Sequence, residues 1–289
     1  MTTTAARAAA NPFAPGSSGR CLVMGILNVT PDSFSDGGRY LRTDLAVRHA
    51  LLMAEQGADI VDVGGESTRP GATRVPVEEE LARVLPVVRE VVGAGVAVSI
   101  DTMRSAVAEA AVDAGAVLVN DVSGGLADPS MARVVADLGT PYVAMHWRAH
   151  SAEMHLHTHF RDVVGDVVTE LRARLDDLVA AGIEPGRIVV DPGLGFAKTA
   201  EQSWQLLRRL DALRVLGRPI LVGASRKSFL ARLAHDMTKR DTATAAVTAI
   251  AAARGAFAVR VHDVAASTVA VQVAAAMRPP VRGTSNKDG

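Results

Sequence analysis

Short apolar runs alternate with longer amphipathic stretches along most of the chain. Runs of about four to eight β-branched and aliphatic residues are typical of strands buried on both faces, and apolar positions three and four apart are typical of helices. The runs predict strands at 22–27, 59–63, 96–100, 117–120, 141–145, 187–190, 219–222 and 257–261. The stretches between them predict helices at 44–56, 77–92, 104–113, 129–138, 161–181, 201–210, from 226, at 242–254 and at 264–277.

This order of elements favours one fold class. Regular alternation of strand and helix with short connections indicates parallel strands with the helices packed outside them. Eight strand–helix units in roughly 260 residues fit a closed barrel better than an open sheet. We therefore predict an α/β protein with a single (β/α)8 TIM barrel over residues 21–278 and no internal domain boundary.

The two ends of the chain lack this periodicity. Residues 1–20 and 279–289 are polar or rich in small residues, Pro and Gly, so we predict disordered tails. The first segment has no apolar stretch of the kind found in secretory signals, and we therefore expect a cytoplasmic location. No apolar run reaches the length of about 20 residues that a membrane-spanning helix needs, so a membrane partner is not expected.

Composition adds two restrictions. Lys and Arg total 31 and Asp and Glu also total 31, so the formal net charge is zero and nothing global favours nucleic acid as a partner. Any anion site must be built locally. Cys21 is the single cysteine, which excludes an internal disulfide and an all-cysteine metal site. Because it opens an apolar run, it is predicted to be a buried core thiol.

Polar and charged residues follow every predicted strand at the point where it ends. Because all strands of a parallel barrel end on the same face, these residues are expected to surround one opening. Helix capping accounts for single Ser, Thr or Asp residues at such positions. It does not call for the Asn, His, Lys and Arg that occur beside them, so the set favours a functional site. Its members include Asn28, Asp101, Asn120, His146, Asp191, residues 225–228, Arg260 and His262.

One group of these residues suits a planar, nitrogen-rich heterocycle. Carboxylates accept hydrogen bonds from ring N–H and amino groups, while amide and ammonium groups supply donors. The sequence offers all three types at neighbouring strand ends. The residues are Asp101, Asn120, Asp191 and Lys227.

A second group lies where the eighth strand meets the first. Arg260 and His262 follow the eighth strand and Asn28 follows the first. An arginine fork matches phosphate oxygens, so these residues suit a phosphate group. Asn28 together with Asp36 offers oxygen ligands for Mg²⁺, which keeps several waters and binds substrate phosphates.

Seven segments resemble, in the same order, the signatures of the dihydropteroate synthase family. The resemblance covers about residues 21–277, and seven ordered matches are far more specific than one. The segments are GILNVTPDSFSDGG (25–38), VDVGGESTRPGA (61–72), SIDT (99–102), NDVSGG (120–125), DPGLGF (191–196), GASRKSFL (223–230) and RVHDV (260–264).

The resemblance implies a TIM-barrel enzyme of folate synthesis. It implies a homodimer that condenses p-aminobenzoate with 6-hydroxymethyl-7,8-dihydropterin diphosphate, releases pyrophosphate and is inhibited by sulfonamides. We expect a dissociative, SN1-like route, in which the diphosphate leaves first and the pterin-methyl cation is then attacked by the weak aniline nucleophile. Such a route needs carboxylates and charge neutralisation of the leaving group rather than a strong base.

The resemblance also implies roles for individual residues. The implied pterin ligands are Asp101, Asn120, Met145, Asp191, Phe196, Gly223 and Lys227. The implied diphosphate ligands are Asn28, Arg260 and His262, with Asn28 acting through Mg²⁺. The implied p-aminobenzoate ligands are Phe34, Thr68, Arg69, Pro70 and Ser228. The residues expected to act in catalysis are Asp36, Asp101, Lys227 and Arg260.

The sequence allows three other interpretations. The histidine-rich segment 146–159 departs from the commonest family pattern, and its His-x-His-x-His run is a weak candidate for a transition-metal site. Another pterin-binding barrel, such as a corrinoid-linked methyltransferase, would share the acidic pocket but would not need the loop at 29–38 or the SerArgLysSer segment. A binding-only paralogue would keep the fold without the activity, although every expected catalytic position is occupied here.

Overall fold

The computed structural model describes residues 11–14, 19–30, 39–67, 74–150 and 152–277, without the side chains of residues 39–42. Eight parallel strands form one sheet. They are β1 (Leu22–Asn28), β2 (Ile60–Gly64), β3 (Val98–Asp101), β4 (Leu118–Asp121), β5 (Tyr142–Met145), β6 (Ile188–Asp191), β7 (Leu221–Val222) and β8 (Ala258–Val261).

The sheet closes on itself. Its order is β6-β5-β4-β3-β2-β1-β8-β7, and a parallel bridge between Val190 and Ile220 joins β6 to the segment that leads into β7. The prediction of a (β/α)8 barrel is therefore confirmed. Closure brings the carboxyl ends of all eight strands to one face, where the loops that follow them meet.

An α-helix lies between each pair of successive strands, and one follows the last. The α-helices are α1 (Arg39–Glu55), α2 (Val77–Gly93), α3 (Ser105–Asp113), α4 (Met131–Leu138), α5 (Val163–Ala180), α6 (Ala200–Arg208), α7 (Met237–Ala253) and α8 (Val264–Ala276). Several begin at a side chain that accepts a backbone N–H; for example, Thr199 and Gln202 form a capping box at α6. No helix in the described part of the chain combines the length and apolar character needed to cross a bilayer.

The predicted element boundaries are wrong near the seventh strand. The strand predicted at 219–222 is only Leu221–Val222, and the helix predicted from 226 is a short 3-10 helix, Ser228–Arg232. The helix predicted at 242 begins earlier, at Met237, because the Asp236 carboxylate accepts the N–H of Lys239. Its polar first turn carries no apolar periodicity, so the pattern could not locate this start.

Part of the predicted N-terminal tail is ordered. Phe13 is buried and meets the ring of Phe257 edge-on at 5.3 Å between centroids. The side chain of Asn11 donates to the carbonyl of Val117 at 2.8 Å. Phe257 and Val117 directly precede β8 and β4, so this segment covers the end of the barrel opposite the strand carboxyl ends. Residues 11–14 of the predicted tail therefore contact the barrel. The tail predicted at 279–289 lies outside the described residues.

Cys21 is buried, as predicted from its place at the start of an apolar run. The largest apolar cluster fills the space between the strands and the surrounding helices. A smaller cluster inside the barrel includes Phe13, Met24 and Leu118. The polar side chains that line the carboxyl-end face belong to neither cluster.

Candidate active site

A cavity of about 500 Å³ opens at the carboxyl ends of the strands. His146, which was predicted at this opening, does not line the cavity. All the described residues to which the family resemblance gives a role do line it. These residues are Asn28, Asp101, Asn120, Met145, Asp191, Phe196, Gly223, Lys227, Ser228, Arg260 and His262. The other predicted site residues lie outside the described residues, and they are Phe34, Asp36, Thr68, Arg69 and Pro70.

The deepest polar cluster is organised by Arg260 of β8. Its Nε donates to Asp62 Oδ2 at 2.6 Å, and its Nη2 donates to Asp101 Oδ2. The Asn120 amide also donates to Asp62 Oδ2, at 2.9 Å. The guanidinium predicted to serve the diphosphate is thus shared by two carboxylates at the bottom of the cavity. This pairing fixes the orientation of Asp101 toward the lining.

Asp62 was not singled out from the sequence. It is fully buried within β2, and its second carboxylate oxygen, Oδ1, has no hydrogen-bond partner. One signal could have revealed it, because an acidic residue between apolar neighbours in a buried strand needs a partner. That partner, Arg260, is 198 positions away in the sequence, so no local pattern identifies it.

Asp191 ends β6 and is shaped by the turn after it. Its Oδ1 accepts the N–H of Gly193 at 2.7 Å, which leaves Oδ2 near Gly223 on the cavity wall. Gly193 has a φ of +67°, and a Cβ there would lie 2.3 Å from the His146 carbonyl oxygen, so only glycine fits. The aspartate therefore presents one oxygen to the cavity in a fixed direction.

Lys227 lies across the cavity from β6. Its Nζ is 4.6 Å from the centroid of the Phe196 ring, a cation–π distance. Burial lowers its pKa to about 8, while Asp191 opposes the shift. Burial also raises the pKa of Asp191, and it raises the pKa of Asp101 to about 7 against the influence of Arg260. Titratable groups shifted toward neutrality in one cavity are typical of catalytic and binding sites.

The outer part of the cavity contains hydrogen-bonding groups from β1, β7 and β8. The Ser225 hydroxyl accepts the backbone N–H of His262 at 3.1 Å and lies 2.9 Å from Nδ1 of the same histidine. A hydroxyl hydrogen directed at Nδ1 leaves the imidazole with its N–H on Nε2. Asn28, at the end of β1, lines the same region and is partly exposed.

The histidine-rich segment after β5 forms no metal cluster among the described residues. There, no group of three or more His, Cys, Asp or Glu side chains could hold an ion. His155 and His157 lie on a 3-10 helix, Met154–His157. His146 instead contacts Glu170 and Lys198, at 2.9 and 2.8 Å. Lys198 and Glu170 were not identified from the sequence.

The fold and the acidic cavity are those of one class of protein, which the similarity of the chain to a known family identifies. Residues 24–262 match the model of a family described as "Pterin binding enzyme". The match covers most of the chain, which therefore belongs to the pterin binding enzymes.

The relatives specify the activity. The chain is 55% identical over 262 residues to the dihydropteroate synthase of Mycobacterium leprae, covering 88% of this chain and 92% of the relative. It is 42% identical to the Bacillus subtilis dihydropteroate synthase, covering 85% and 84% of the two chains. The structure of Xanthomonas albilineans dihydropteroate synthase with 4-aminobenzoic acid superposes with a TM-score of 0.84 at 45% identity, covering 90% of this chain and 95% of that one. The activity of the chain is that of a dihydropteroate synthase, a transferase.

Proposed function

We propose that the cavity binds 6-hydroxymethyl-7,8-dihydropterin diphosphate with its ring against Asp101, Asn120 and Asp191 and its diphosphate toward Asn28 and His262. The observation that carries this assignment is the composition of the cavity floor. Asp101 and Asp191 line the cavity with two carboxylates, and Arg260 and Lys227 line it with two cations. A third carboxylate, that of the fully buried Asp62, lies behind them in contact with Arg260. A floor with excess negative charge when ionised suits a ring that becomes cationic during the reaction.

The chemistry proceeds by loss of the leaving group. The bond between the pterin methylene carbon and the diphosphate oxygen breaks, and its electron pair leaves with pyrophosphate. The amine of p-aminobenzoate then attacks the methylene cation and loses a proton to solvent. Asp101 and Asp191 stabilise the cation, Lys227 and Asn120 orient the ring, and His262 donates to the departing oxygens through Nε2–H. Ser228, which lines the cavity, would contact p-aminobenzoate. The other proposed contacts for p-aminobenzoate, Phe34, Thr68, Arg69 and Pro70, lie outside the described residues.

The overall proposal is tested by a pyrophosphate-release assay with the purified protein. We expect release only when both p-aminobenzoate and the pterin diphosphate are present, with 7,8-dihydropteroate formed in equal amount. Release without p-aminobenzoate would indicate hydrolysis, and binding of the pterin without any release would indicate a binding-only protein. Transfer of a methyl group from a methylated pterin would favour the corrinoid-linked alternative.

Mg²⁺ is the proposed cofactor. Among the described residues, Asn28 provides one hard oxygen ligand for the ion on the cavity wall. The remaining ligands would be waters and substrate phosphate, as is usual for Mg²⁺. Asp36 would be a further ligand, and it lies outside the described residues. The ion would supply charge neutralisation to the diphosphate. We expect Asn28→Ala to weaken calorimetric binding of pyrophosphate with Mg²⁺ and to leave binding of 6-hydroxymethylpterin unchanged. Full activity in excess EDTA would contradict the metal requirement.

The proposed assembly is a homodimer, and the proposed location is the cytoplasm. Support for the dimer comes from apolar side chains that are exposed on the paired helices α7 and α8. They are Ile250, Val269, Val273 and Met277, each more than half exposed. Val269, Val273 and Met277 are spaced four apart and so lie on one face. Light scattering should give twice the chain mass, and Val269→Arg should reduce it to one chain. The location is tested by cell fractionation.

A further inference from the structure

Lys198 is a buried lysine that the proposed reaction does not use. Its side chain is almost entirely enclosed below the turn formed by residues 193–196, and lysine is seldom buried without a specific partner. Its Nζ lies within hydrogen-bonding distance of three acceptors. They are His146 Nδ1 at 2.8 Å, the Gly193 carbonyl at 3.1 Å and the Phe196 carbonyl at 3.0 Å.

The geometry determines the protonation of the neighbouring histidine. Burial lowers the pKa of Lys198 to about 7. In its protonated form the group has three donors and no acceptor, so Nδ1 of His146 then accepts and Nε2–H donates to Glu170 Oε2 at 2.9 Å. Burial and then Lys198 lower the pKa of His146 to about 4, which keeps the imidazole neutral at pH 7. Arg148 donates to the same carboxylate from Nε at 3.0 Å. The chain of contacts thus runs from the turn to α5.

The same turn positions two residues of the proposed pterin site. The Phe196 N–H donates to the Gly193 carbonyl at 3.0 Å, and the Gly193 N–H donates to Asp191 Oδ1 at 2.7 Å. Lys198 therefore holds the two carbonyls at either end of the turn. Movement of this turn would displace both the Asp191 carboxylate and the Phe196 ring that faces Lys227.

We propose that Lys198 is a positioning residue for pterin recognition, which holds the 193–196 turn from below so that Asp191 and Phe196 meet the ring in one fixed arrangement. The proposal rests on the assignment of the pterin to this cavity. An ammonium group with only a structural role could donate its hydrogen bonds to any nearby acceptors. Both of its carbonyl partners here belong to the turn that carries the site, and the third partner orients the ammonium toward them.

The first test compares Lys198→Met with Lys239→Met. Methionine keeps most of the buried volume but has no donor, and Lys239 is an exposed lysine on the first turn of α7. For Lys198→Met we expect the KM for the pterin diphosphate to rise about tenfold or more, because small displacements of a binding group have large effects. The KM for p-aminobenzoate, measured at saturating pterin diphosphate, should stay near the wild-type value, and Lys239→Met should change neither constant.

Equilibrium binding separates this inference from the assignment of the site. Calorimetry with 6-hydroxymethylpterin should show weak binding to both Lys198→Met and Asp191→Asn. If Asp191→Asn binds normally, the assignment of the pterin site is wrong. If Asp191→Asn binds weakly while Lys198→Met binds like the wild type, the positioning role alone is overturned. An equal rise in both KM values for Lys198→Met would also overturn it.

A second pair of variants applies if Lys198→Met does not fold. His146→Gln keeps an acceptor within reach of Nζ, whereas His146→Leu removes it. We expect pterin binding near the wild-type level for His146→Gln and a clear loss for His146→Leu. Equal binding by the two variants would show that the orientation of Lys198 does not matter to the site.

Discussion

At the scale of single residues, burial and charge oppose each other at the cavity floor. Asp101 shows this most clearly, because burial raises its pKa from the ordinary value of 3.8 to about 7 although Arg260 contacts it directly. In the unfolded chain the carboxyl loses its proton near pH 4. Between about pH 4 and 7 the folded protein holds a proton that the unfolded chain has lost, so stability falls as pH rises through this range. The cost persists above pH 7.

Asp101→Asn should therefore stabilise the protein and inactivate it. Asparagine resembles the protonated carboxyl, so the gain in Tm over the wild type should grow from pH 5 to pH 8. Turnover should fall because one of the two carboxylates that stabilise the pterin cation is lost. Calorimetric scans and pyrophosphate release measure the two effects. Asp113→Asn changes an exposed carboxylate and serves as the control. A gain in Tm that is the same at every pH would contradict the argument.

Lys227 is expected to be irreplaceable by arginine. Its side chain runs close to two glycines, because a Cβ placed at Gly195 would lie 3.3 Å from its Cδ and one at Gly223 would lie 3.7 Å from its Nζ. Arginine is also a planar fork and not a compact ammonium. Lys227→Arg should lose most of its kcat/KM, by about a hundredfold, while its Tm stays close to the wild-type value. Near-normal turnover would contradict the assigned role.

At the scale of structural elements, the segment between β7 and α7 depends on an unusual backbone conformation. Arg226 has a φ of +57°, a left-handed conformation that costs a non-glycine residue about 1–2 kcal/mol. Its guanidinium forms a two-pronged contact with Asp241 of α7, at 2.8 Å from both Nε and Nη2. This contact holds the turn that directs the next residue, Lys227, into the cavity.

Asp241→Asn should impair pterin binding although Asp241 does not line the cavity. Loss of the charged pair frees the turn, so we expect a several-fold rise in the KM for the pterin diphosphate. The double variant Arg226→Gly, Asp241→Asn should be little worse than Arg226→Gly alone, because the effects of substitutions at two coupled residues do not add. Steady-state kinetics of the three variants measure this. Asp236→Asn keeps a good helix cap and is the control. Additive effects would show that Arg226 acts on the substrate independently of Asp241.

At the scale of the whole molecule, the two ends of the barrel have separate roles. The carboxyl ends of the strands hold the site, and the opposite end is covered by the segment with Phe13. Its ring lies among side chains that precede or begin the strands, such as Leu22, Leu118 and Phe257. Burial of an aromatic side chain supplies substantial hydrophobic stabilisation.

Phe13→Ala should lower stability without changing catalysis. We expect a loss of about 3 kcal/mol in the free energy of unfolding, because burial of the ring is lost at a packed position. Denaturant unfolding measures the loss, and kcat/KM should match the wild type because the site lies at the other end of the barrel. Asn11→Ala, which removes one hydrogen bond, should have a smaller effect. A fall in kcat/KM at a temperature where the variant is fully folded would show that the two ends are coupled.

The sequence alone determined the barrel and the membership of its active face. The apolar periodicity that identifies a strand or a helix is a local property of the sequence. The polar residues at the strand ends share a face because all strands of a parallel barrel end on the same side. Hence all the described residues to which the family resemblance gives a role line one cavity, whereas His146, also predicted there, does not. The start of α7 at Met237 was predicted wrongly because it is set by the Asp236 cap and not by apolar periodicity.

The tertiary structure decided which of these groups pair. Arg260 contacts Asp62 and Asp101, which are 198 and 159 positions away, because closure of the barrel places β8 beside β1 and near β2 and β3. Lys198 reaches His146 across 52 positions because they follow β6 and β5, which are neighbouring strands that end side by side. Ion pairs and burial depend on distances in space, and no local pattern records those distances. The sequence therefore specified which residues surround the cavity, and only the closed barrel specified their charge states and partners.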